Sequence, residues 1–140
     1  MACALLLMAT QAFATLGDAV DTVGADRAQL QAERQITSAA AFEVHALRLQ
    51  SGTTVREYVS PSGMVFAVTW QGPELPDLQQ LLGRYFPAYG EALKAQRASG
   101  VRAQRTDGLV VQTGGHMRAY SGRVFVPAML PGGVAESDIR

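Results

Sequence analysis

The chain has 140 residues, of which 48% are apolar, and its 12 basic and 12 acidic side chains give a formal net charge of zero. This length indicates a single domain, and this apolar content excludes wholesale disorder. The neutral balance also speaks against nucleic-acid binding, which depends on a basic excess that displaces counterions from phosphates. Arginine supplies all but one of the basic residues. Arginine is a better bidentate partner than lysine for carboxylate or phosphate, although codon usage is the simpler explanation for its excess.

Residues 1–14 have the pattern of a secretory signal peptide. An uncharged apolar run from Ala2 to Met8 is followed by Ala12-Phe13-Ala14, the small-residue pattern that precedes a cleavage site. The positively charged opening of such a peptide is missing, so we expect its true start to lie further upstream. The run is too short to span a bilayer. We therefore predict export to the periplasm or the extracellular space and no transmembrane segment in the mature chain, with a buried N-terminal helix as the alternative.

Residues 15–41 are weakly patterned and rich in small side chains. The stretch 24–33 has helix-forming character but only one large apolar residue, Leu30. We therefore expect a mobile, flexible N-terminal arm or a loosely packed short helix. The single cysteine, Cys3, lies within the predicted signal peptide, so the mature chain would have neither a disulfide nor a thiol nucleophile.

The domain proper is predicted over residues 42–140 and begins with a strand at 42–49. The large apolar residues of this strand change phase by one position between Val44 and Leu47. A β-bulge shifts the phase in this way, so we place one near His45 and Ala46.

A hairpin over residues 53–70 is the most strongly patterned part of the chain. Ser60-Pro61-Ser62-Gly63 suits a type I turn, and a three-residue loop pairs Tyr58 with Phe66. A two-residue loop would pair Glu57 with Phe66 instead. In the favoured register one face is aromatic and basic: Arg56, Tyr58, Phe66, Val68 and Trp70. The other face is mainly apolar: Val55, Glu57, Val59, Val65, Ala67 and Thr69.

A helix is predicted after the hairpin. Pro76 and Asp77 suit its first turn, and apolar residues then recur at helical spacing as far as Leu93. Pro87 removes a backbone donor, so we expect the helix to kink or break between Gly83 and Pro87.

The last third of the chain reads as further strands and an irregular tail. We predict a short charged edge strand at 101–106, a strand at 109–113, and an extended segment at 117–126. Gly114-Gly115 is either a hairpin turn or a bulge. The fold class is therefore predicted as α+β: an antiparallel sheet of about five strands with one kinked helix packed on one face.

Several strings of this sequence resemble a known family. The longest are Gly52-Thr53-Thr54-Val55-Arg56-Glu57-Tyr58-Val59, Gly63-Met64-Val65-Phe66-Ala67-Val68-Thr69-Trp70-Gln71-Gly72-Pro73, Leu109-Val110-Val111-Gln112-Thr113-Gly114-Gly115-His116-Met117 and Leu130-Pro131-Gly132-Gly133-Val134. Together they resemble a family of small exported bacterial proteins described only as domain of unknown function 2844. The resemblance implies export and a single domain, and it brings no activity, cofactor or catalytic residue.

His116 is the residue most suggestive of chemistry. Glycines beside a histidine allow a ligand to approach the backbone closely. A metal would need more ligands, and the other histidine, His45, lies in a different strand. We therefore predict no metal and no cofactor, and a turn histidine is the plainer interpretation.

No coherent catalytic motif is present, so we predict an exported, non-enzymatic binding or accessory domain whose partner is a protein or a component of the cell envelope. Binding is expected on the aromatic–arginine face, provided that the helix covers the opposite face, or at the glycine–histidine loop. The candidate binding residues are Arg56, Tyr58, Trp70, Gly115, His116, Arg118 and Arg123. The alternative is a small hydrolase that uses His116 with a nearby serine, such as Ser121, or a carboxylate, such as Glu57.

Overall fold

The computed structural model describes residues 16–19 and 33–140. Its strands are β1 (Glu33–Ser38), β2 (Glu43–Arg48), β3 (Thr54–Val59), β4 (Val65–Gly72), β5 (Ala103–Thr106), β6 (Leu109–His116) and β7 (Ala119–Phe125). Its helices are α1 (Leu78–Leu82) and α2 (Phe86–Ser99), joined by a 3-10 turn at Gly83–Tyr85. Within these residues the strands form one antiparallel sheet in the order β1-β2-β3-β4-β7-β6-β5, with the helices packed on one face.

The predicted α+β class is confirmed, but the sheet has seven strands in the described residues, not five. The short edge strand β5 lies where a charged edge strand was predicted. Strand β1 lies in the predicted arm, and the prediction of an arm or helix is wrong for residues 33–38. The β1 sequence is exposed on both faces and buries almost nothing, so it carries no alternating apolar signal. The predicted signal peptide and residues 20–32 lie outside the described residues.

Strand β2 has no bulge. It pairs in unbroken register with both β1 and β3, so the bulge predicted at His45 and Ala46 is wrong. Val44 and Leu47 face opposite sides of the sheet, and both sides are covered. Leu47 packs beneath the helices, and Val44 packs in a second apolar cluster on the other face. The apparent change of phase therefore reflects a strand that is covered on both faces.

The bulge lies in the neighbouring hairpin, between Tyr58 and Val59. Val59 pairs with Val65 as predicted, but Tyr58 pairs with Ala67, and Phe66 is the extra residue. Everything beyond this point in β4 is shifted by one position, which moves each side chain to the opposite face. The predicted single aromatic face is therefore wrong.

Trp70 and the other two aromatic residues of the hairpin lie on opposite faces of the sheet. Trp70 shares the helix-covered face with Val55 and meets Tyr89 of α2 edge-on, with ring centroids 6.2 Å apart. Tyr58 and Phe66 contact each other on the second face, with ring centroids 6.1 Å apart.

The break in the helix lies where Pro87 predicted it. Asp77 caps α1, and its Oδ1 accepts the backbone N–H of Gln80 at 3.0 Å. Gly83 ends α1 with a positive φ of 46°, and Pro87 then falls in the first turn of α2, where its missing N–H costs nothing. This geometry lets both helices bury side chains against the sheet: Leu78, Leu81, Leu82, Tyr89 and Ala92.

The predicted irregular tail is confirmed, and it covers part of the second sheet face. Residues 127–140 contain two 3-10 turns, and Ile139 is buried in the cluster around Tyr58 and Phe66. The Tyr58 hydroxyl donates to the Arg140 carbonyl and accepts the Arg140 backbone N–H at 2.9 Å. The second face therefore has an apolar half beneath the tail and a polar half beyond it.

The short segment 16–19 is fixed between α1 and the start of β4. Leu16 is fully buried, and its N–H donates to the Leu81 carbonyl at 3.0 Å. The Gly17 N–H donates to the Val65 carbonyl at 2.8 Å, and the guanidinium of Arg84 donates to the Gly17 carbonyl at 2.9 Å. Leu16 is therefore part of the core, and Gly17 is buried beside it.

Candidate functional site

A pocket of about 330 Å³ opens on the polar half of the second sheet face. Its floor is formed by β3, β4, β7 and β6, and the end of the tail forms one wall. The described residues that line it are Arg56, Thr69, Trp70, Gln71, Arg102, Gln112, Thr113, Gly114, Ser121, Gly122, Arg123 and Arg140.

A row of polar side chains crosses the floor of this pocket. Arg56 pairs with Thr69, Thr69 pairs with Arg123, and Arg123 pairs with Gln112 on successive strands. Neighbouring strands lie about 4.8 Å apart, so the backbones of Arg56 and Arg123 are separated by about 10 Å. The two arginines thus flank the small hydroxyl side chain of Thr69.

Arg123 is the most firmly held of the pocket arginines. Its Nε donates to Oε1 of Gln112 at 2.8 Å, and its Nη1 donates to the carbonyls of Glu136 and Ile139 at 2.8 and 3.1 Å. Its guanidinium also lies 5.7 Å from the centre of the Phe125 ring. These neutral groups fix the guanidinium in place and leave its positive charge uncompensated.

The other three pocket arginines also lack a carboxylate partner. Among described residues, the four ion pairs all lie elsewhere, and none includes Arg56, Arg102 or Arg140. Arg102 lies over β6, where its Nη1 is 3.6 Å from the position that a Cβ of Gly114 would occupy. The pocket therefore holds four guanidinium groups, and no described carboxylate side chain lines it.

The indole of Trp70 lies directly behind the pocket. A Cβ on Gly122 would lie 2.2 Å from Cζ2 of Trp70, so only glycine lets the ring pack flat against β7. The indole Nε1 is buried and has no hydrogen-bond acceptor among the described residues. Because Trp70 is the only tryptophan of the chain, its fluorescence can report on the pocket.

Three of the residues predicted for binding line this pocket, and the others do not. Arg56, Trp70 and Arg123 contribute to its lining. Tyr58 is buried beside it, beneath the tail. The remaining candidates, Gly115, His116 and Arg118, lie at the turn of the β6–β7 hairpin, outside the pocket.

The hairpin turn places His116 at the surface. His116 pairs with Ala119 across a two-residue turn whose second residue, Arg118, has a φ of 66°. Gly115 adopts a φ of 101°, and a Cβ there would lie 2.0 Å from the Ala119 carbonyl oxygen, so this position requires glycine. The prediction of a turn or a bulge at Gly114-Gly115 is wrong: both glycines pair in unbroken register with β7, and the turn follows His116.

The hydrolase alternative stays a prediction. Within the described residues, no hydrogen bond or ion pair joins His116 to a serine or a carboxylate. Glu57 lies on the helix side of β3, buried opposite His45. The described residues also contain no group of three or more potential metal-ligating side chains.

His45 belongs to a separate polar cluster at the other end of the sheet. Its Nδ1 lies 2.8 Å from Nη2 of Arg34, and its Nε2 lies 3.2 Å from Oε2 of Glu43. Since arginine only donates, Nδ1 accepts and Nε2 carries the proton. The contact with Arg34 ties β1 to β2, and the contact with Glu43 lies within β2.

Sequence reasoning missed Arg102, Arg140 and Gln112 as pocket residues. Gln112 lies in a predicted strand, and this is a signal in the sequence. Its place beside Arg123 depends on which strand pairs with β6, and the sequence pattern does not assign that partner. The other two lie outside strands, in the connection before β5 and at the end of the tail. Their positions depend on how these segments fold back onto the sheet, which periodicity does not encode.

None of the helices in the described parts of the chain is long and apolar enough to cross a membrane. Searches of curated proteins and of solved structures found no match. The profile of a family described as "Protein of unknown function (DUF2844)" matches residues 12–139, which is nearly the whole chain. The chain therefore belongs to this family of proteins of unknown function.

Proposed function

We propose that this protein is an exported, non-enzymatic binding domain whose pocket takes an anionic group of its ligand. Two features support export. Residues 1–14 have the pattern of a signal peptide, with Ala12-Phe13-Ala14 as the cleavage pattern. Leu16, two residues beyond the predicted cleavage site, is buried between α1 and β4, as expected if the folded domain starts there.

The observation that carries the binding proposal is the set of uncompensated arginines in the pocket. The formal charge of the chain is zero, yet Arg56, Arg102, Arg123 and Arg140 all line a pocket that has no described carboxylate side chain in its lining. Guanidinium groups form short, bidentate hydrogen bonds with carboxylate and phosphate. Arg123 is already positioned by neutral acceptors, so an anion would meet an ordered cation.

The composition of the lining favours binding over catalysis. The described lining side chains are arginine, glutamine, threonine, serine and tryptophan. None of them is a histidine or a carboxylate, the groups on which general acid–base catalysis most often relies. The serine and threonine hydroxyls therefore serve as hydrogen-bonding groups in this proposal.

The test is a titration of the protein with inorganic phosphate and with citrate, followed by calorimetry and by Trp70 fluorescence. Arg56→Gln is the informative variant, because Arg56 makes no hydrogen bond or ion pair with other described residues and its loss should leave the fold intact. Arg48→Gln is the matched control: it removes the same charge from an exposed position on the adjacent strand β2, outside the pocket.

We expect Arg56→Gln to weaken anion binding by about tenfold, corresponding to the loss of one charge-assisted contact. Arg48→Gln should change the dissociation constant by less than about twofold, because Arg48 can act on the anion only through a long-range electrostatic interaction that salt screens. Equal weakening in both variants, or no binding of either anion at millimolar concentration, would overturn the proposal.

A further inference from the structure

We infer that the tail and the anion pocket are coupled: docking of residues 136–140 completes the pocket, Tyr58 is the residue that positions this segment, and a bound anion stabilises the docked state in return. This inference rests on the proposed function and adds how the same site is assembled and regulated. It starts from the two arginines that join the pocket to the tail.

Arg123 lines the pocket and holds the tail with the same guanidinium group. Its Nη1 donates to the Glu136 and Ile139 carbonyls at 2.8 and 3.1 Å, and its Nε donates to Gln112 at 2.8 Å. A guanidinium has five N–H donors, and these bonds use the three on Nε and Nη1, so the two on Nη2 remain for a ligand. Undocking of the tail removes two of the three acceptors that fix this cation, and a ligand then has to order it.

Arg140 belongs to the pocket lining because the tail is docked. Its Nε donates to the Ser137 carbonyl at 3.1 Å, and its own carbonyl accepts the Thr69 hydroxyl at 3.2 Å. Thr69 lies on the pocket floor, between Arg56 and Arg123. Undocking therefore takes one of the four guanidinium groups away from the pocket and breaks a contact with its floor.

Tyr58 fixes the tail without lining the pocket. Its hydroxyl donates to the Arg140 carbonyl and accepts the Arg140 backbone N–H at 2.9 Å. Its ring lies with Ile139 in the apolar cluster of the second sheet face. Tyr58 is buried and is not one of the residues that line the pocket, so its effect on anion binding passes through the tail.

The end of the tail is held weakly enough to open while the rest of the domain stays folded. Residues 136–140 form one short 3-10 turn and no strand. Within the described part of the chain, their other ties to the sheet are the buried side chain of Ile139 and an exposed ion pair between Arg105 and Glu136. Exposed ion pairs contribute little, and segments with few contacts open locally.

The first experiment measures amide exchange by NMR on the full, unsubstituted chain, with and without citrate or inorganic phosphate, whichever binds more tightly. The reporting amides are those of Asp138 and Ile139, which bond the Ala135 and Glu136 carbonyls. A saturating anion should slow their exchange by about 5- to 20-fold, the lower part of the range for coupled sites. The amide of Gly100, at the end of α2, is the internal control and should not change.

The second experiment tests the same coupling through Tyr58→Phe, which removes the hydroxyl and keeps the ring. By reciprocity, docking strengthens anion binding by the same factor as the anion stabilises docking. We expect calorimetry to show anion binding about 3- to 10-fold weaker in Tyr58→Phe, and the tail amides to exchange faster.

Two further variants serve as controls. Asp77→Ala removes one hydrogen bond at the start of α1, outside the tail and the pocket, so it should change the dissociation constant by less than about twofold. Arg56→Gln should weaken anion binding but leave tail exchange without anion unchanged, because Arg56 has no hydrogen bond or ion pair with other described residues.

The outcomes separate this inference from the proposed function. If an anion binds but does not slow tail exchange, or if its binding does not depend on Tyr58, the inference is refuted and the proposed function stands. If neither citrate nor phosphate binds, both fail. If the anion speeds tail exchange, the tail competes with it for Arg123, and the inference is overturned. Equal weakening in Tyr58→Phe and Asp77→Ala would trace the effect to overall stability and exclude a positioning role.

Discussion

The contact between Trp70 and Gly122 makes a sharp prediction for stability. A Cβ on Gly122 would lie 2.2 Å from Cζ2 and 2.5 Å from Cε2 of the indole. Carbon atoms pack at about 3.5–4.0 Å, so Gly122→Ala requires the ring or the strand to move by more than about 1 Å. The ring is 2% exposed and meets Tyr89 on its other side, so it has little room to move.

The magnitude follows from the two interactions that this movement disturbs. Overpacking a well-packed core costs about 1–3 kcal/mol. Weakening the edge-on contact between Trp70 and Tyr89 adds about 0.5–1.5 kcal/mol. We therefore expect Gly122→Ala to lower the free energy of unfolding by about 2–4 kcal/mol. With a urea m value near 2 kcal/mol/M, the unfolding midpoint would fall by about 1–2 M.

Gly114→Ala is the matched control for this change. Gly114 lies on the neighbouring strand β6, and a Cβ there would meet nothing closer than Nη1 of Arg102 at 3.6 Å. Neither glycine has a positive φ, so the backbone conformation itself permits alanine at both positions and only the side-chain surroundings differ. We expect a change within about 0.5 kcal/mol, or a small gain, because glycine in a strand carries an extra entropy cost. Urea unfolding followed by Trp70 fluorescence measures both variants.

Equal losses of stability in the two variants would refute the steric reasoning. A second comparison isolates the clash itself. In a Trp70→Leu background, followed by circular dichroism, Gly122→Ala should cost less than about 1 kcal/mol, because the group that it strikes is gone. A cost of the same size in both backgrounds would mean that the two residues are not coupled.

Three further predictions concern the tail, the core and a helix end. Tyr58→Phe removes the hydroxyl that bonds both backbone groups of Arg140; it should cost about 1–2 kcal/mol and speed amide exchange in the tail, and unchanged exchange would contradict it. Burial raises the pKa of Tyr89 above its ordinary value of 10.0, so the folded state resists ionisation and stability falls as pH rises past the unfolded value. Between about pH 9 and about pH 11, the free energy of unfolding measured in urea should therefore fall less for Tyr89→Phe than for the unsubstituted protein. An equal fall with pH in both proteins would count against this cause. Asp77→Ala removes the cap on the Gln80 N–H and should lower the free energy of unfolding by about 1 kcal/mol in urea, while no loss would show that α1 is held by packing alone.

Local chemistry in the sequence predicted the turns and breaks of the fold correctly. The loop after Ser60 closes the hairpin as expected, with the Ser60 N–H donating to the Met64 carbonyl at 2.9 Å. Pro87 marked the break between the helices. Each of these features is determined by a few adjacent residues, and the residue types set the backbone conformations that these positions prefer.

Features that depend on a distant partner were not predictable in the same way. Strand β1 is held by pairing with β2 and shows no apolar period of its own. The phase change between Val44 and Leu47 indicates a bulge only if a single face of the strand is covered. The second cover comes from the tail, whose buried anchor, Ile139, lies 92 residues beyond Leu47 in the chain. Only the tertiary structure shows that both faces are covered.

The extra residue at Phe66 explains why the candidate site was predicted only in part. An unbulged register puts Trp70 on the same face as Arg56 and moves Thr69 to the other face. The bulge exchanges Trp70 and Thr69, so the indole enters the helix-covered core and the threonine hydroxyl lies between Arg56 and Arg123. One inserted residue therefore converts a mixed aromatic face into two distinct features: a packed core around the indole and a polar row of separated, uncompensated arginines. The same bulge leaves Tyr58 and Phe66 on the polar row's side of the sheet, where the tail covers them and forms one wall of the pocket.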